Sequence, residues 1–269
     1  MNIGSLLRKF RSTPRSVFRW AGYDIIRYPS INRRRALEHT IACLTRNTVS
    51  SGLFSGLTLI DEESWGDLGS KLLGLYESEL APVLKDVIQS APDIVINVGC
   101  AEGFYALGLA KLIPTAKVFA YDIDREARRI CAAGAKINAL DKALEIRGYC
   151  SAEELQRITK SAEHPFAIID CEGGERELLL STSYDYANTR FIIECHDFLD
   201  RTITDDLINK FMTTHTIEII MQGGRNPFSS DIIKEWAEND LWLVVSEQRP
   251  ERMRWLNLTP LTSSFHNGG

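Results

Sequence analysis

A regular alternation of short apolar runs and longer helical patterns, between residues 94 and 221, most constrains how this chain can fold. The apolar runs are rich in β-branched residues and five or six residues long, which predicts buried strands over 94–98, 117–121, 144–149, 166–171, 190–195 and 216–221. Helical patterns separate them over 103–112, 124–139, 151–160, 174–181 and 203–213. Strands joined by helices of this length require a parallel sheet covered on both faces. The pattern therefore predicts a doubly wound α/β fold.

The segments that flank this alternation are less regular. Before it, we expect a helix over 32–46, a hairpin or loop over 49–60, and a helix over 70–89 that Pro82 can kink or split. After it, we expect a short helix over 231–239 and two candidate strands over 242–246 and 253–258, one of which closes the sheet edge. The predicted domains are an N-terminal arm with a helical and hairpin extension, 1–69, and a sheet domain, 70–269.

The stretch "DIVINVGCAEGFYALGLA", residues 93–110, predicts a ligand-binding turn. Its strand is followed by Gly99, Ala101 and Gly103, and Phe104 then begins a helical pattern. The first N–H groups of a helix lack internal partners, and residues without bulky side chains let a ligand approach them.

The spacing of this turn distinguishes two classes of cofactor. A dinucleotide fingerprint has a third small residue at its sixth position, where this chain has Phe104. In this chain the last glycine of the turn, Gly103, instead stands at the fifth position. This is the spacing of the S-adenosylmethionine-binding loop of class I methyltransferases. The second strand ends in Asp122, whose carboxylate could accept hydrogen bonds from both ribose hydroxyls, and Ile123 could form an apolar wall for adenine.

Further contacts to the cofactor are expected from two other segments. Cys150 and Ser151 follow the third strand and could contact adenine, although Ser151 with Glu154 also fits a helix capping box. Tyr76 and Glu77 could reach the methionine end, the alternative being a core tyrosine and a solvated acid.

Several motifs together resemble a known family. "NVGCAEGFY" resembles the first motif of class I methyltransferases, "AYDID" resembles the second, and "IIDCEGGERELL" is similar to the K-I-D-V-E-G-x-E segment of FkbM-like methyltransferases. "LLGLYESEL" and "MRWLNLTP" also look like segments of bacterial members, so the resemblance covers about residues 70–260. Two residues depart from the pattern: Asn97 stands where an acid is common, and Glu102 where the family usually has a small or amide residue.

The resemblance implies a seven-stranded, mostly parallel, Rossmann-like methyltransferase sheet with an N-terminal helical extension. It also implies methyl transfer from S-adenosylmethionine, usually to a hydroxyl oxygen of a sugar, glycan or small molecule. The cofactor loop would then comprise Asn97, Gly99, Cys100, Ala101, Glu102 and Gly103, and Asp170 would complete the cofactor contacts.

Titratable residues crowd the ends of the fourth and fifth predicted strands, "IIDCEGGE" and "IIECHD". Ligands of open α/β sheets bind beyond the carboxyl ends of the strands. A hydroxyl acceptor must lose its proton, and we predict His196 as the base, with Asp170 or Glu172 as substitute. The alternatives are a hydrogen-bonded structural histidine, helix capping by the two acids, or a divalent cation held by Asp170, His196 and Asp197.

Charge is distributed unevenly along the chain. Residues 1–35 contain nine Lys or Arg and one acid, so, with a total of −5, the remainder carries −13. A body this acidic argues against nucleic acid as a partner. The basic arm also contains apolar residues, which favours contact with an anionic membrane surface or a partner; a solvated helix packed on the body is the alternative.

The remaining patterns concern location and the rival function. No run of 18 apolar residues and no signal pattern is evident, and the six cysteines form no CxxC pair. We therefore expect a cytoplasmic protein with reduced thiols, with peripheral contact at the inner membrane face as an option. The rival to an enzyme is a catalytically silent, cofactor-binding scaffold at a membrane glycan-assembly site.

Overall fold

A computed structural model describes residues 29–60 and 67–261, with side chains from residue 33 onward. Its helices are α1 (Pro29–Thr45), α2 (Leu68–Leu73), α3 (Ala81–Ser90), α4 (Phe104–Leu112), α5 (Arg125–Ile137), α6 (Ala152–Lys160), α7 (Ile203–Phe211) and α8 (Glu238–Val245). Its strands are β1 (Ile94–Val98), β2 (Lys117–Tyr121), β3 (Leu144–Arg147), β4 (Pro165–Ile169), β5 (Arg190–Cys195), β6 (His215–Met221) and β7 (Arg254–Pro260). The chain divides into compact units at 1–36 and 37–269, and the sheet belongs to the second. The predicted boundary at residue 70 stays a prediction.

The seven strands form one sheet in the order β3-β2-β1-β4-β5-β7-β6. Strands β1 to β5 pair in parallel, whereas β7 lies antiparallel between β5 and β6. The predicted doubly wound, mostly parallel sheet of seven strands is confirmed.

The sheet is held by apolar side chains on both of its faces. Along β1, Val95 packs in one buried cluster and Ile96 in the other, because successive side chains of a strand point to opposite faces. Residues buried on both faces explain why the strands read as nearly continuous apolar runs. All six cysteines are unpaired, as predicted, and four of them are buried.

None of the described helices combines the length and the apolar character needed to cross a membrane.

The helix predicted over 70–89 is divided, but not at its proline. Helix α2 ends at Gly74, which has a φ of 71°, and an added Cβ there would overlap the backbone of Ser51. Pro82 instead lies in the first turn of α3, where its missing N–H costs no helical hydrogen bond. The segment over 49–60 contains turns and one isolated bridge, Thr48 to Thr58, so the loop interpretation holds.

One predicted strand is wrong. Residues 242–245 belong to α8, which buries Leu241, Val244 and Val245 at helical spacing, so the helical period outweighs the strand preference of these residues. The short helix predicted over 231–239 is mostly turns. The second candidate strand is β7, but it lies inside the sheet and β6 forms the edge.

Candidate functional site

A cavity of about 490 Å³ opens at the carboxyl ends of β1, β2, β3 and β4. This volume and this position are typical of ligand sites in open α/β sheets. Eight of the predicted site residues line it: Tyr76, Gly99, Ala101, Asp122, Ile123, Cys150, Asp170 and Glu172. The structure therefore brings the predicted cofactor turn and the predicted carboxylates into one cavity.

The glycines of the turn are required by packing. The φ of Gly99 is 77°, and an added Cβ would overlap the carbonyl oxygen of Asp170, so this glycine lets the ends of β1 and β4 approach. At Gly103, φ is 93° and an added Cβ would lie 2.6 Å from the Sγ of Cys131 on α5. Gly103 therefore serves the contact between α4 and α5, and only Gly99 and Ala101 of this turn line the cavity.

The carboxylate of Asp122 is fixed at the cavity wall by backbone donors. Its Oδ2 accepts the N–H of Ala101 at 2.8 Å, and its Oδ1 accepts the N–H of Asp124 at 2.8 Å. The next residue, Ile123, lines the cavity with 81% of its surface exposed, so an apolar wall stands beside the carboxylate. Asp124 accepts the N–H of Glu126 and caps α5.

The wall contributed by the end of β3 contains one predicted residue, Cys150, and two that the sequence analysis did not single out, Gly148 and Tyr149. Cys150 lines the cavity, and burial raises the pKa of its thiol to about 12, so it stays neutral. Ser151 does not line it; its hydroxyl accepts the N–H of Glu154 at 3.2 Å and caps α6, the alternative role. Tyr149 does line it, and its hydroxyl donates to Glu177 at 2.8 Å.

Besides Gly103, three residues of the predicted cofactor loop lie beside the cavity rather than in its wall. Asn97 is buried in β1, and no described residue makes a hydrogen bond to its amide group. Cys100 is buried against Cys131, which, with burial, raises the pKa of its thiol. Glu102 is buried and forms an ion pair with Lys71. Their predicted contacts with a cofactor stay predictions.

Glu77 belongs to a buried network of charges. Its carboxylate accepts the hydroxyl of Tyr105 and pairs with Arg249, which also pairs with Glu194 and contacts Glu247 at 3.2 Å. Burial raises the pKa of Glu77 to about 8, although Arg249 acts in the opposite direction. The network ties the segment before α3 to β5 and to the segment after α8.

His196 follows β5 and is surrounded by carboxylates. Its Nδ1 lies 2.9 Å from Oε1 of Glu175, and its Nε2 lies 3.2 Å from Oε2 of Glu172 and 3.6 Å from Oδ1 of Asp170. Burial lowers the pKa of His196, but the hydrogen bonds to Glu172 and Glu175 outweigh it and raise the pKa to about 10. The ring is therefore held protonated near neutral pH, and it lies outside the lining of the cavity.

The two other predicted catalytic residues line the cavity directly. Burial raises the pKa of Asp170, and no described residue makes a hydrogen bond to its Oδ1. The φ of Glu172 is 50°, a conformation that costs energy in a residue other than glycine. The hydrogen bond to His196 lowers the pKa of Glu172.

Three of these groups could hold a metal ion. Ligand atoms of Asp170, Glu172 and His196 all lie within 4.8 Å of one another. The predicted third ligand, Asp197, instead accepts the hydroxyl of Thr204 at 2.8 Å and pairs with Arg254 at 3.1 Å. Glu172 therefore takes the place of Asp197 in the candidate ligand set.

No protein-family profile matches the sequence, and a search of curated proteins gives no match. Solved structures are similar at low identity. An rRNA methylase from Streptococcus thermophilus has a TM-score of 0.44 at 15% identity and covers 66% of this chain and 95% of its own. A SAM-dependent O-methyltransferase from Thermotoga maritima has a TM-score of 0.42 at 13% identity, and the match covers 66% of this chain and 64% of the other. A precorrin-6y C5,15-methyltransferase from Geobacter metallireducens has a TM-score of 0.43 at 10% identity, and the match covers 65% of this chain and 87% of the other.

Similarity at this level concerns the fold alone. The seven-stranded, mostly parallel sheet, with one antiparallel strand inserted next to the edge, confirms the predicted Rossmann-like fold class. The closer resemblance to FkbM-like methyltransferases stays a prediction.

Among the lining residues that the sequence analysis did not single out, Tyr149 and Lys71 differ in how far the sequence could have identified them. Tyr149 could have been found, because it directly precedes Cys150 at the end of a strand. Lys71 lines the cavity from α2, far from the glycine turn along the chain, and no local pattern identifies it.

Proposed function

We propose that this chain is an S-adenosylmethionine-dependent methyltransferase that methylates a hydroxyl group of a small molecule or glycan. The observation that carries the proposal is the single cavity that joins the glycine turn, Asp122 and the carboxylates after β4. Asp122 would bind the ribose, and Ile123, Tyr149 and Cys150 would contact the adenine.

The charge of the cavity fits this cofactor. Five acids line it, Asp122, Asp124, Asp170, Glu172 and Glu177, together with one cation among the described residues, Lys71. S-adenosylmethionine carries a sulfonium, an ammonium and a carboxylate, so its net charge is positive. Complementary charge favours binding of such a ligand and rejects the pyrophosphate of a dinucleotide.

Among the acids of the cavity, Asp170 is best suited to take the proton of the acceptor. S-adenosylmethionine, when bound, supplies the electrophilic methyl group. The acceptor oxygen would form its bond to that carbon as the carbon–sulfur bond breaks and the thioether leaves, and the hydroxyl proton would pass to a base. The raised pKa of Asp170, and an Oδ1 to which no described residue makes a hydrogen bond, suit Asp170 to this task.

His196 has a positioning role in this proposal. It is held protonated by its carboxylate neighbours, so it would orient Glu172 and Asp170 rather than act as the base. Glu175 would fix the ring through Nδ1.

Binding and turnover test the proposal separately. Calorimetry should show binding of S-adenosylmethionine and none of NADH, and labelled methyl transfer should be assayed on a library of hydroxylated acceptors. Asp170→Asn should retain cofactor binding and lose about 10²- to 10⁴-fold in rate, whereas Glu177→Gln, a lining carboxylate away from His196, should lose less. Absence of cofactor binding would contradict the proposal. Tight binding of the cofactor without turnover on any acceptor would favour the rival function, a catalytically silent, cofactor-binding scaffold.

A second candidate is methyl transfer that requires a divalent metal. It is favoured by the convergence of Asp170, Glu172 and His196 within 4.8 Å, a ligand set of two carboxylates and one imidazole that suits a transition metal. Calorimetry with Mn²⁺ and Zn²⁺ should show one site, which Glu172→Gln weakens and Glu177→Gln leaves intact. Turnover that is insensitive to exhaustive chelation would exclude this candidate.

Residues 1–28 of the basic arm, 1–35, lie outside the described residues, and residues 29–35 begin α1. We propose that the basic arm binds the anionic inner face of the cell membrane as a peripheral contact, because six side chains of residues 1–28 are cationic and apolar residues lie between them. Liposome flotation should fall when Arg8, Arg11 and Arg15 are changed to Glu. Equal flotation of both proteins would contradict this proposal.

A further inference from the structure

Lys71 is a buried cation in an acidic cavity. It lies on α2, 3% of its surface is exposed, and it is the single cation among the described residues of the lining. Its Nζ lies 4.6 Å from the centre of the Tyr76 ring, and Tyr76 also lines the cavity. Burying an ammonium group is costly unless anions and acceptors surround it.

The ion pair between Lys71 and Glu102 leaves hydrogen-bonding groups of both residues without a partner among the described residues. One carboxylate oxygen of Glu102 accepts a hydrogen bond from Nζ, while the other is buried with no hydrogen-bond partner among the described residues. An ammonium has three N–H donors, and the bond to Glu102 is the one hydrogen bond that the described side chains and backbone give it. The cation therefore has donors left for a ligand in the cavity.

The glycine turn links this pair to the proposed ribose site. Ala101 donates its N–H to Asp122, and the next residue, Glu102, holds Lys71. A ligand that places its ribose on Asp122 and extends across the turn would bring its far end to Lys71. In S-adenosylmethionine that end is an α-amino acid, whose carboxylate requires a cation.

We propose that Lys71 binds the carboxylate of the amino-acid end of S-adenosylmethionine, and that Glu102 holds the ammonium group in place for it. This inference rests on the proposed function. It also assigns a role to Glu102 at the position where the chain departs from the family pattern: the acid neutralises Lys71 when no carboxylate is bound.

The test compares ligands that differ only at the amino-acid end. Calorimetry is done with S-adenosylmethionine, its decarboxylated analogue and 5′-methylthioadenosine, which lacks the amino acid. Lys71→Met should weaken binding of S-adenosylmethionine about 10- to 100-fold and leave the other two within about threefold, because a charge-assisted hydrogen bond is lost with the carboxylate alone. Lys136→Met, on the exposed side of α5, is the matched control and should change none of the three.

A second variant covers the case in which Lys71→Met fails to fold because Glu102 is left without its cation. Lys71→Met combined with Glu102→Gln removes both charges and should show the same selective loss. Equal affinity of these variants and the wild type for S-adenosylmethionine, or an equal loss for all three ligands, would overturn the assignment of Lys71. Failure of the wild type to bind any of the three would instead reject the proposed function itself.

Discussion

Replacing Asp122 by Ala tests the cofactor site most directly. A carboxylate has about four lone-pair sites, and two of them accept the N–H groups of Ala101 and Asp124 at 2.8 Å. Two sites are left for the two ribose hydroxyls. Hydrogen bonds to a charged group each contribute about 1.5–3 kcal/mol, and allowing for desolvation of the carboxylate, their loss should cost about 2–4 kcal/mol. The expected loss of affinity is about 30- to 1000-fold.

The same substitution also removes two hydrogen bonds that hold the turn. At about 1 kcal/mol each, this should lower the stability by about 2 kcal/mol and the Tm by roughly 4–8 °C. Asp124→Ala is the matched control, because it also removes one carboxylate from the cavity lining and loses the cap of α5 at about 1 kcal/mol, but leaves Asp122 in place. Its affinity for the cofactor should stay within about threefold of the wild type.

Calorimetry with S-adenosylmethionine and with adenosine measures this effect, and thermal unfolding shows that each variant is folded. Both ligands contain the ribose, so both should lose affinity by a similar factor in Asp122→Ala. A folded Asp122→Ala protein that binds both ligands as the wild type does would refute the reasoning. Equal losses in Asp122→Ala and Asp124→Ala would also refute it, since they would show a general disturbance of the turn.

Three further predictions concern stability. Gly99→Ala should lower the free energy of unfolding by about 3 kcal/mol or more, because its Cβ would overlap the backbone of Asp170, the residue after β4, and its φ is positive. Gly223→Ala, in open space, should change the free energy of unfolding by less than about 0.5 kcal/mol, and equal values for the two variants in urea unfolding would contradict this. Arg249→Met should cost about 3–5 kcal/mol, because its buried carboxylate partners lose their cation, and Arg201→Met, in an exposed pair, less than about 1 kcal/mol. Urea unfolding measures both, and similar losses would contradict the buried network. The third prediction is the pH dependence of the free energy of unfolding, measured with chelator present. Protonated His196 should stabilise the fold fully below about pH 6.5, the pKa of histidine in the unfolded chain, and this stabilisation should be lost as the pH rises to about 10, the pKa of His196 in the fold. His196→Gln should remove that part of the slope, and an unchanged slope would contradict the raised pKa.

The positions of the main strands were predictable because each is a local apolar run. β1, β2 and β5 have the predicted bounds, since strands buried on both faces need consecutive apolar residues and their helices show a separate period. Prediction failed in the last segment, where Trp242 and Val244 belong to α8. There Leu241, Val244 and Val245 are buried at helical spacing while Trp242 is half exposed, and the packing of the helix decides its conformation.

The candidate site was predictable to the extent that it lies at strand ends. Asp122, Cys150 and Asp170 follow three different strands, and the rule that ligands bind beyond the carboxyl ends brings them to one cavity. The prediction of Ser151 as an adenine contact could not be separated from its cap, because both roles use the same hydroxyl at the same helix start.

The sequence by itself determined the alternation of strands and helices, the glycine turn and the acids that follow the strands, because each is encoded in residues close together along the chain. Only the tertiary structure decided which charges meet. Lys71 with Glu102, and Arg249 with Glu77 and Glu194, are pairs of residues from distant segments. Their meeting depends on how α2 and the segment after α8 pack against the rest of the fold, and no local spacing of residues records that packing.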